Sequence, residues 1–155
     1  MSIVDRNEAK KIVKQWHSSN KKVVFTNGCF DIIHRGHVEY LRESKELGDV
    51  LVVGLNSDAS VWRIKGKPRP YQNELDRAAI LDAMKMVDLV VIFEEDTPLN
   101  IICELKPNIL VKGGDYNSQS IVGASEVEDW GGSVKIIPFL IEHGTSIIVD
   151  KIIER

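Results

Sequence analysis

The chain has 155 residues, is 43% hydrophobic and 28% charged, and carries a formal net charge of −3, which suits one domain with a real core and argues against nucleic acid as a main partner, because phosphate backbones are bound by basic surfaces. Its two cysteines, Cys29 and Cys103, stand in neither a CxxC nor a metal-ligand spacing, which disfavours a disulfide framework or a zinc site. No stretch approaches the roughly 18 uncharged apolar residues of a membrane span and the N-terminus has no apolar signal core, so a cytoplasmic location without membrane contact is expected.

In chain order, apolar runs alternate with amphipathic segments. Asp5 to about Ser18 reads as a helix with Ala9, Ile12, Val13 and Trp16 on one face. Lys22–Thr26 is a short β-branched run and reads as a buried strand. Gly36–Leu47 turns helical, with Val38, Tyr40, Leu41 and Leu47 apolar, and Val50–Leu55 is the second strand. Residues 73–85 read as a helix opened by an Asn73 N-cap. Leu89–Phe93 is the third strand, and Thr97-Pro98 opens a helix to about Leu105, with Thr97 as cap and Pro98 in the first turn. Ile109–Val111 and Val134–Ile137 are the fourth and fifth strands, and Ser146–Ile153 is a closing helix.

Strands apolar on both faces and alternating with helices imply an α/β fold: a Rossmann-like, doubly wound five-stranded parallel sheet with helices on both faces, in a single domain over residues 1–155. In such sheets a ligand lies beyond the carboxyl ends of the strands, at the switch in strand order. The loops after Thr26, Leu55, Phe93, Val111 and Ile137 are therefore the ones that matter.

The first of these, Thr26-Asn27-Gly28-Cys29-Phe30-Asp31-Ile32-Ile33-His34-Arg35-Gly36-His37, contains neither a Walker pattern nor GxGxxG. It nevertheless meets the needs of a phosphate site. Gly28 allows a sharp turn at the strand end, and a helix begins near Gly36, whose free N–H groups favour an anion. His34 and His37 flank that helix start within one turn. Two histidines without partners in ligand spacing are weak support for a metal. The other use of paired imidazoles is phosphoryl electrostatics: an attacking phosphate oxygen is already ionised and needs no base, so fixed donors that stabilise charge on the α-phosphate and the leaving pyrophosphate carry the catalysis.

His34-Arg35-Gly36-His37 resembles the HxGH signature of the cytidylyltransferase-like nucleotidyltransferase superfamily. The longer run Thr26–His37 is similar to the adenylyltransferases that make ADP-heptose from heptose 1-phosphate. Further segments fit that branch: Asn56-Ser57-Asp58 with Lys65–Pro70, Phe93–Pro98, Lys112-Gly113-Gly114-Asp115-Tyr116 and Gly144–Ile148, a likeness spanning about residues 21–152. The resemblance implies His34, His37 and Lys65 as catalytic residues, with Lys65 on the triphosphate and Arg69 as a second phosphate cation in a loop after the second strand. It implies that Thr26, Asn27, Gly28, Cys29 and Phe30 line the nucleotide, the Thr26 hydroxyl touching the β- and γ-phosphates. Lys112, Gly113, Gly114 and Asp115 would border the nucleoside, where paired glycines admit a ligand and Asp115 accepts from ribose hydroxyls. Thr145 and Ser146 would hold phosphate at the last helix start or cap it. Relatives carry a serine where this chain has Gly144, which removes one hydroxyl. Asp31 reads as a loop organiser, and Glu94-Glu95-Asp96 as a solvated loop.

The function implied is adenylyl transfer from ATP to a sugar 1-phosphate, D-glycero-β-D-manno-heptose 1-phosphate in this branch, with release of pyrophosphate. Mg²⁺ is expected to arrive on the ATP phosphates rather than in a metal site of the chain's own. Alternatives are a cytidylyltransferase acting on glycerol 3-phosphate or another alcohol phosphate, and a nucleotide-binding regulatory module without catalysis. The resemblance also implies a homodimer. In some relatives the domain is fused to a sugar kinase; here a separate kinase is expected to supply the acceptor.

Overall fold

A computed structural model describes residues 2–114, 120–138 and 144–154. The elements are β1 (Ile3–Val4), α1 (Arg6–Ser18), β2 (Val23–Gly28), α2 (Arg35–Glu46), β3 (Val50–Asn56), α3 (Asp58–Lys65), α4 (Glu74–Asp82), β4 (Leu89–Phe93), α5 (Leu99–Leu105), β5 (Ile109–Gly113), α6 (Ala124–Asp129), β6 (Ser133–Ile137) and α7 (Thr145–Ile153). The sheet is parallel and six-stranded, in the order β1-β4-β3-β2-β5-β6. The expected count of five is thus one short. The extra strand is the two-residue β1 on the edge, where Ile3 and Val4 pair with Val90 and Val91 and the Val90 amide donates to the Ser2 carbonyl at 2.8 Å.

Strand periodicity sorts the core into two halves. Val23, Phe25, Val50, Val52, Leu89 and Val91 face one side, covered by Ala9 and Val13 of α1, Ile101 and Leu105 of α5 and Val127 of α6. Val24, Leu51, Val53, Leu55 and Val90 face the other, covered by Tyr40 and Leu41 of α2 and Ala78 and Leu81 of α4. Because successive strand residues point to opposite faces and both faces are covered, the strands read as unbroken apolar runs.

Helix ends follow local chemistry in places and depart from it in others. Asp5 caps α1 by accepting from the Glu8 amide, and Asn73 caps α4 by accepting from the Asp76 amide. Thr97 does not cap α5: the cap position is Pro98, with no side-chain bond. Glu95 of the acidic loop is paired with Arg6, whose Nη2 donates at 2.7 and 2.8 Å, and this bond holds the Glu95 carboxyl down to about 2. From β2 the chain runs outward through β3 and β4, then returns to lay β5 and β6 on the opposite side. The switch therefore falls between β2 and β5, whose carboxyl ends are Gly28 and Gly113.

Candidate active site

The loop between β2 and α2 lies at this switch. Its sharp course is not made by glycine. Gly28 has no positive φ; Phe30 and Ile32 do, at 45° and 54°, a conformation that costs a branched residue of order 1–3 kcal/mol. Gly28 serves close approach instead, since a Cβ there would stand 3.0 Å from the Phe30 ring. Between the two strained residues sits Asp31, 1% exposed. Its Oδ2 accepts from Arg69 Nε at 2.7 Å and from the Tyr71 amide at 2.9 Å, and its Oδ1 accepts from the Gln72 amide at 3.0 Å. Its carbonyl accepts from the Thr145 hydroxyl at 2.7 Å. Asp31 is thus the loop organiser expected, and it ties three chain segments together.

His34 takes the N-cap position of α2 without a side-chain cap bond, and His37 follows one turn on. Their rings stack, with centroids 3.8 Å apart and planes inclined by 26°, and the Phe30 ring lies 5.3 Å from that of His37. His37 Nδ1 is buried with no hydrogen-bond partner, an unfilled polar atom of the kind a ligand completes. Burial first, and the neighbouring His34 second, hold the His37 imidazole down to about 4, so it is neutral at pH 7. The unfolded chain has an ordinary histidine near 6.5 and binds the proton first as pH falls. Stability is therefore full above about pH 6.5 and drops toward pH 4, by at most about 1.4 kcal/mol per pH unit for this group. Urea unfolding at pH 7 and pH 5 should show a smaller loss for His37→Gln than for the parent chain; equal losses would assign the pH dependence elsewhere.

A cationic rim surrounds the strand ends. Burial raises the Cys29 thiol, while Lys65, Arg77 and Arg69 oppose that rise through their charge. Burial lowers Lys112, with Cys29 raising it and Lys65 lowering it further. Lys65, Arg69, Arg77 and Lys112 therefore share one field around the end of β2. Lys65 is not in a loop: it is the last residue of α3, its side chain exposed, and the helix stops at Gly66, whose positive φ of 73° favours glycine. Gly113 and Gly114 are buried at the end of β5, the Gly114 amide donating to the Ile137 carbonyl at 3.0 Å. Asn27, half-buried, pairs with Gly54 in the β2–β3 register. Gly144 caps α7 without a side chain, Ser146 is exposed, and the Thr145 hydroxyl is spent on Asp31 rather than on capping. Asp115 lies outside the described residues.

Thr26 requires a correction. It is 0% exposed, and its hydroxyl lies 2.5 Å from the Tyr40 hydroxyl, which also donates to the Val111 carbonyl at 3.3 Å. The pair bolts α2 to β2 and β5, and burial pushes Tyr40 up to about 12. Thr26→Val should cost about 1–2 kcal/mol of unfolding free energy and leave nucleotide affinity unchanged; a weakened affinity in calorimetry would restore the phosphate role.

Arg77 is a site residue that the sequence does not single out. It is 0% exposed, yet its guanidinium fills an inside corner. Nη1 donates to the carbonyls of Cys29 at 2.6 Å and Asn56 at 2.9 Å, Nε to that of Gln72 at 3.0 Å, and Nη2 to Asp58 Oδ1 at 2.7 Å. It thereby joins the histidine loop to the end of β3 and the start of α3. Its one sequence signal is an arginine next to Ala78 and one turn before Leu81, on the apolar stripe of α4.

A family model described as cytidylyltransferase-like matches residues 25–153. The chain belongs to the cytidylyltransferase-like family. It is 51% identical over 150 residues to the bifunctional protein HldE of Wolinella succinogenes, covering 97% of this chain and 31% of that protein. A crystal structure of the lipopolysaccharide core biosynthesis protein from Thermoplasma volcanium GSS1 is 35% identical, with TM-score 0.64, covering 77% of this chain and 97% of that one. Pantothenate synthetase from Thermus thermophilus, at 16% identity and TM-score 0.63, covers 92% of this chain and 63% of its own and shares the fold. The chain thus spans about a third of the bifunctional relative. This corrects the expected separate kinase as far as that relative goes: whatever its second activity is, it shares one polypeptide with the matched segment. Among the described residues no helix is long and apolar enough to cross a membrane.

Proposed function

We propose that the chain is the adenylyltransferase of a sugar 1-phosphate, D-glycero-β-D-manno-heptose 1-phosphate by its branch of the family, acting in the cytoplasm. The observation that carries the reading is the stacked pair His34–His37 at the start of α2, at the sheet's switch point and inside a cationic rim. An acceptor phosphate oxygen attacks the α-phosphorus of ATP. The bond from that phosphorus to the β-phosphate oxygen breaks, and pyrophosphate leaves with the electron pair. No proton is removed in the step, so the residues orient the reactants and stabilise charge. A neutral His37 suits that task as a fixed donor whose alignment needs no solvent reorganisation. Lys65 and Lys112 neutralise the triphosphate. Magnesium enters as part of the nucleotide substrate, MgATP; Asp31 and Asp58 are already engaged by Arg69 and Arg77.

A kinase that makes the acceptor belongs to the same reading. So does the homodimer: α7 exposes Ile152 at 66% and Ile153 at 75%, apolar surface of the kind a subunit contact covers. The test is pyrophosphate release with ATP and with CTP across a panel of sugar and alcohol phosphates. Release with ATP and heptose 1-phosphate is expected. A CTP preference, or nucleotide binding without release from any acceptor, overturns the reading in favour of an alcohol-phosphate cytidylyltransferase or a regulatory module respectively.

A further inference from the structure

The geometry points to Arg69 and Tyr71 as the acceptor's seat, with Arg69 gripping the phosphate of the sugar phosphate and the Tyr71 ring carrying the sugar. Resting on the nucleotidyl-transfer reading above, this assignment deepens it by separating acceptor from triphosphate.

The argument begins with how Arg69 meets Asp31. Arginine–carboxylate pairs are frequently bidentate, with two donors of the fork meeting both oxygens. Here the Asp31 oxygens are largely filled by the amides of Tyr71 and Gln72, and Arg69 touches one of them with Nε alone, at 2.7 Å. Neither Nη has a hydrogen-bond partner among the described residues, although the side chain is only 18% exposed. Neither Nη is sealed from solvent, so the guanidinium is held by Nε and presents outward the planar donor pair that matches phosphate oxygens. The guanidinium carbon stands 5.1 Å from the centre of the Tyr71 ring, and Tyr71 is 43% exposed. An exposed aromatic ring that Arg69 lies over suits a phosphorylated sugar: the C–H side of the sugar packs on the part of the tyrosine that remains exposed while the phosphate meets arginine.

The seat adjoins the reacting centre. Arg69 is among the cations that act on Cys29, and its anchor Asp31 is three residues from His34. Lys65 and Lys112 supply separate cations for the nucleotide. Asp31 is then a positioning residue, one carboxylate that fixes both the histidine loop and the acceptor seat.

Two variants test this. Arg69→Lys keeps a positive charge beside Asp31 but loses the planar donor pair. Tyr71→Ala removes the exposed ring and keeps the amide that Asp31 holds. Calorimetry measures heptose 1-phosphate in the presence of a saturating non-hydrolysable ATP analogue, and the analogue alone; pyrophosphate release gives the KM of each substrate. In both variants Kd and KM for heptose 1-phosphate should rise by roughly 10-fold or more, with analogue affinity changed by less than about 2-fold. A comparable loss for the analogue moves Arg69 to the triphosphate and overturns the assignment, as does unaltered sugar-phosphate binding or no such binding by the parent chain. Arg69-dependent binding without pyrophosphate release would leave the seat standing and overturn only the nucleotidyl-transfer reading.

Discussion

His37→Ala is expected to lower turnover by roughly 100-fold or more, the range found when one fixed donor to a developing oxyanion is removed. The loss should fall on kcat rather than on the KM for ATP, because the donor matters most where charge develops. The fold should survive. His37 Nδ1 is buried and unsatisfied in the free chain, and removing an unfilled polar atom relieves a penalty that offsets the packing lost against Phe30 and His34. Steady-state rates alongside thermal unfolding check both halves. A parent-like rate would falsify the assigned role, and a collapse of the fold would make His37 a core residue.

Arg77→Ala is expected to be the most destabilising single change at the site, by about 3–5 kcal/mol. It strips donors from the carbonyls of Cys29, Asn56 and Gln72 and leaves a hole where a large, fully buried side chain stood. Asp58, whose side chain is 39% exposed, can rehydrate, so the cost comes mainly from the carbonyls and the cavity. Against a typical total of about 5–15 kcal/mol that is a large share. Urea unfolding measures it directly; a loss below about 1 kcal/mol would mean that water replaces the guanidinium at this corner.

Much of the architecture was legible from period and punctuation. The strands β2 to β6 and the helices α1, α2, α4, α5 and α7 fall where apolar runs, amphipathic stripes and cap residues place them. The missed elements are short. β1 has two residues and exists only because β4 offers an edge. α5 is as short as α3 but is announced by Thr97-Pro98; α3, Asp58–Lys65, ends in four consecutive exposed residues, Trp62 to Lys65, and shows no apolar stripe, and α6, Ala124–Asp129, has only six residues, so the sequence reads Lys65 as a loop residue although it ends a helix. The histidine pair was legible because a spacing of three on a helix start puts two rings on one side.

By itself, the order of residues determined the layered α/β architecture, the position of the histidine loop after the first inner strand, and the placing of two histidines one turn apart at a helix start; each depends on neighbours a few residues apart. Only the tertiary structure decided what Thr26, Asp31, Arg69 and Arg77 do. Apart from the bond from Arg77 to the Gln72 carbonyl five residues back, their hydrogen-bond partners lie 14 to 48 residues away along the chain, and in the case of Asp31 and Thr145 the separation is 114. Whether a hydroxyl or a charge faces a ligand or fills a buried corner is set by what the folded sheet brings against it, and no local pattern encodes that.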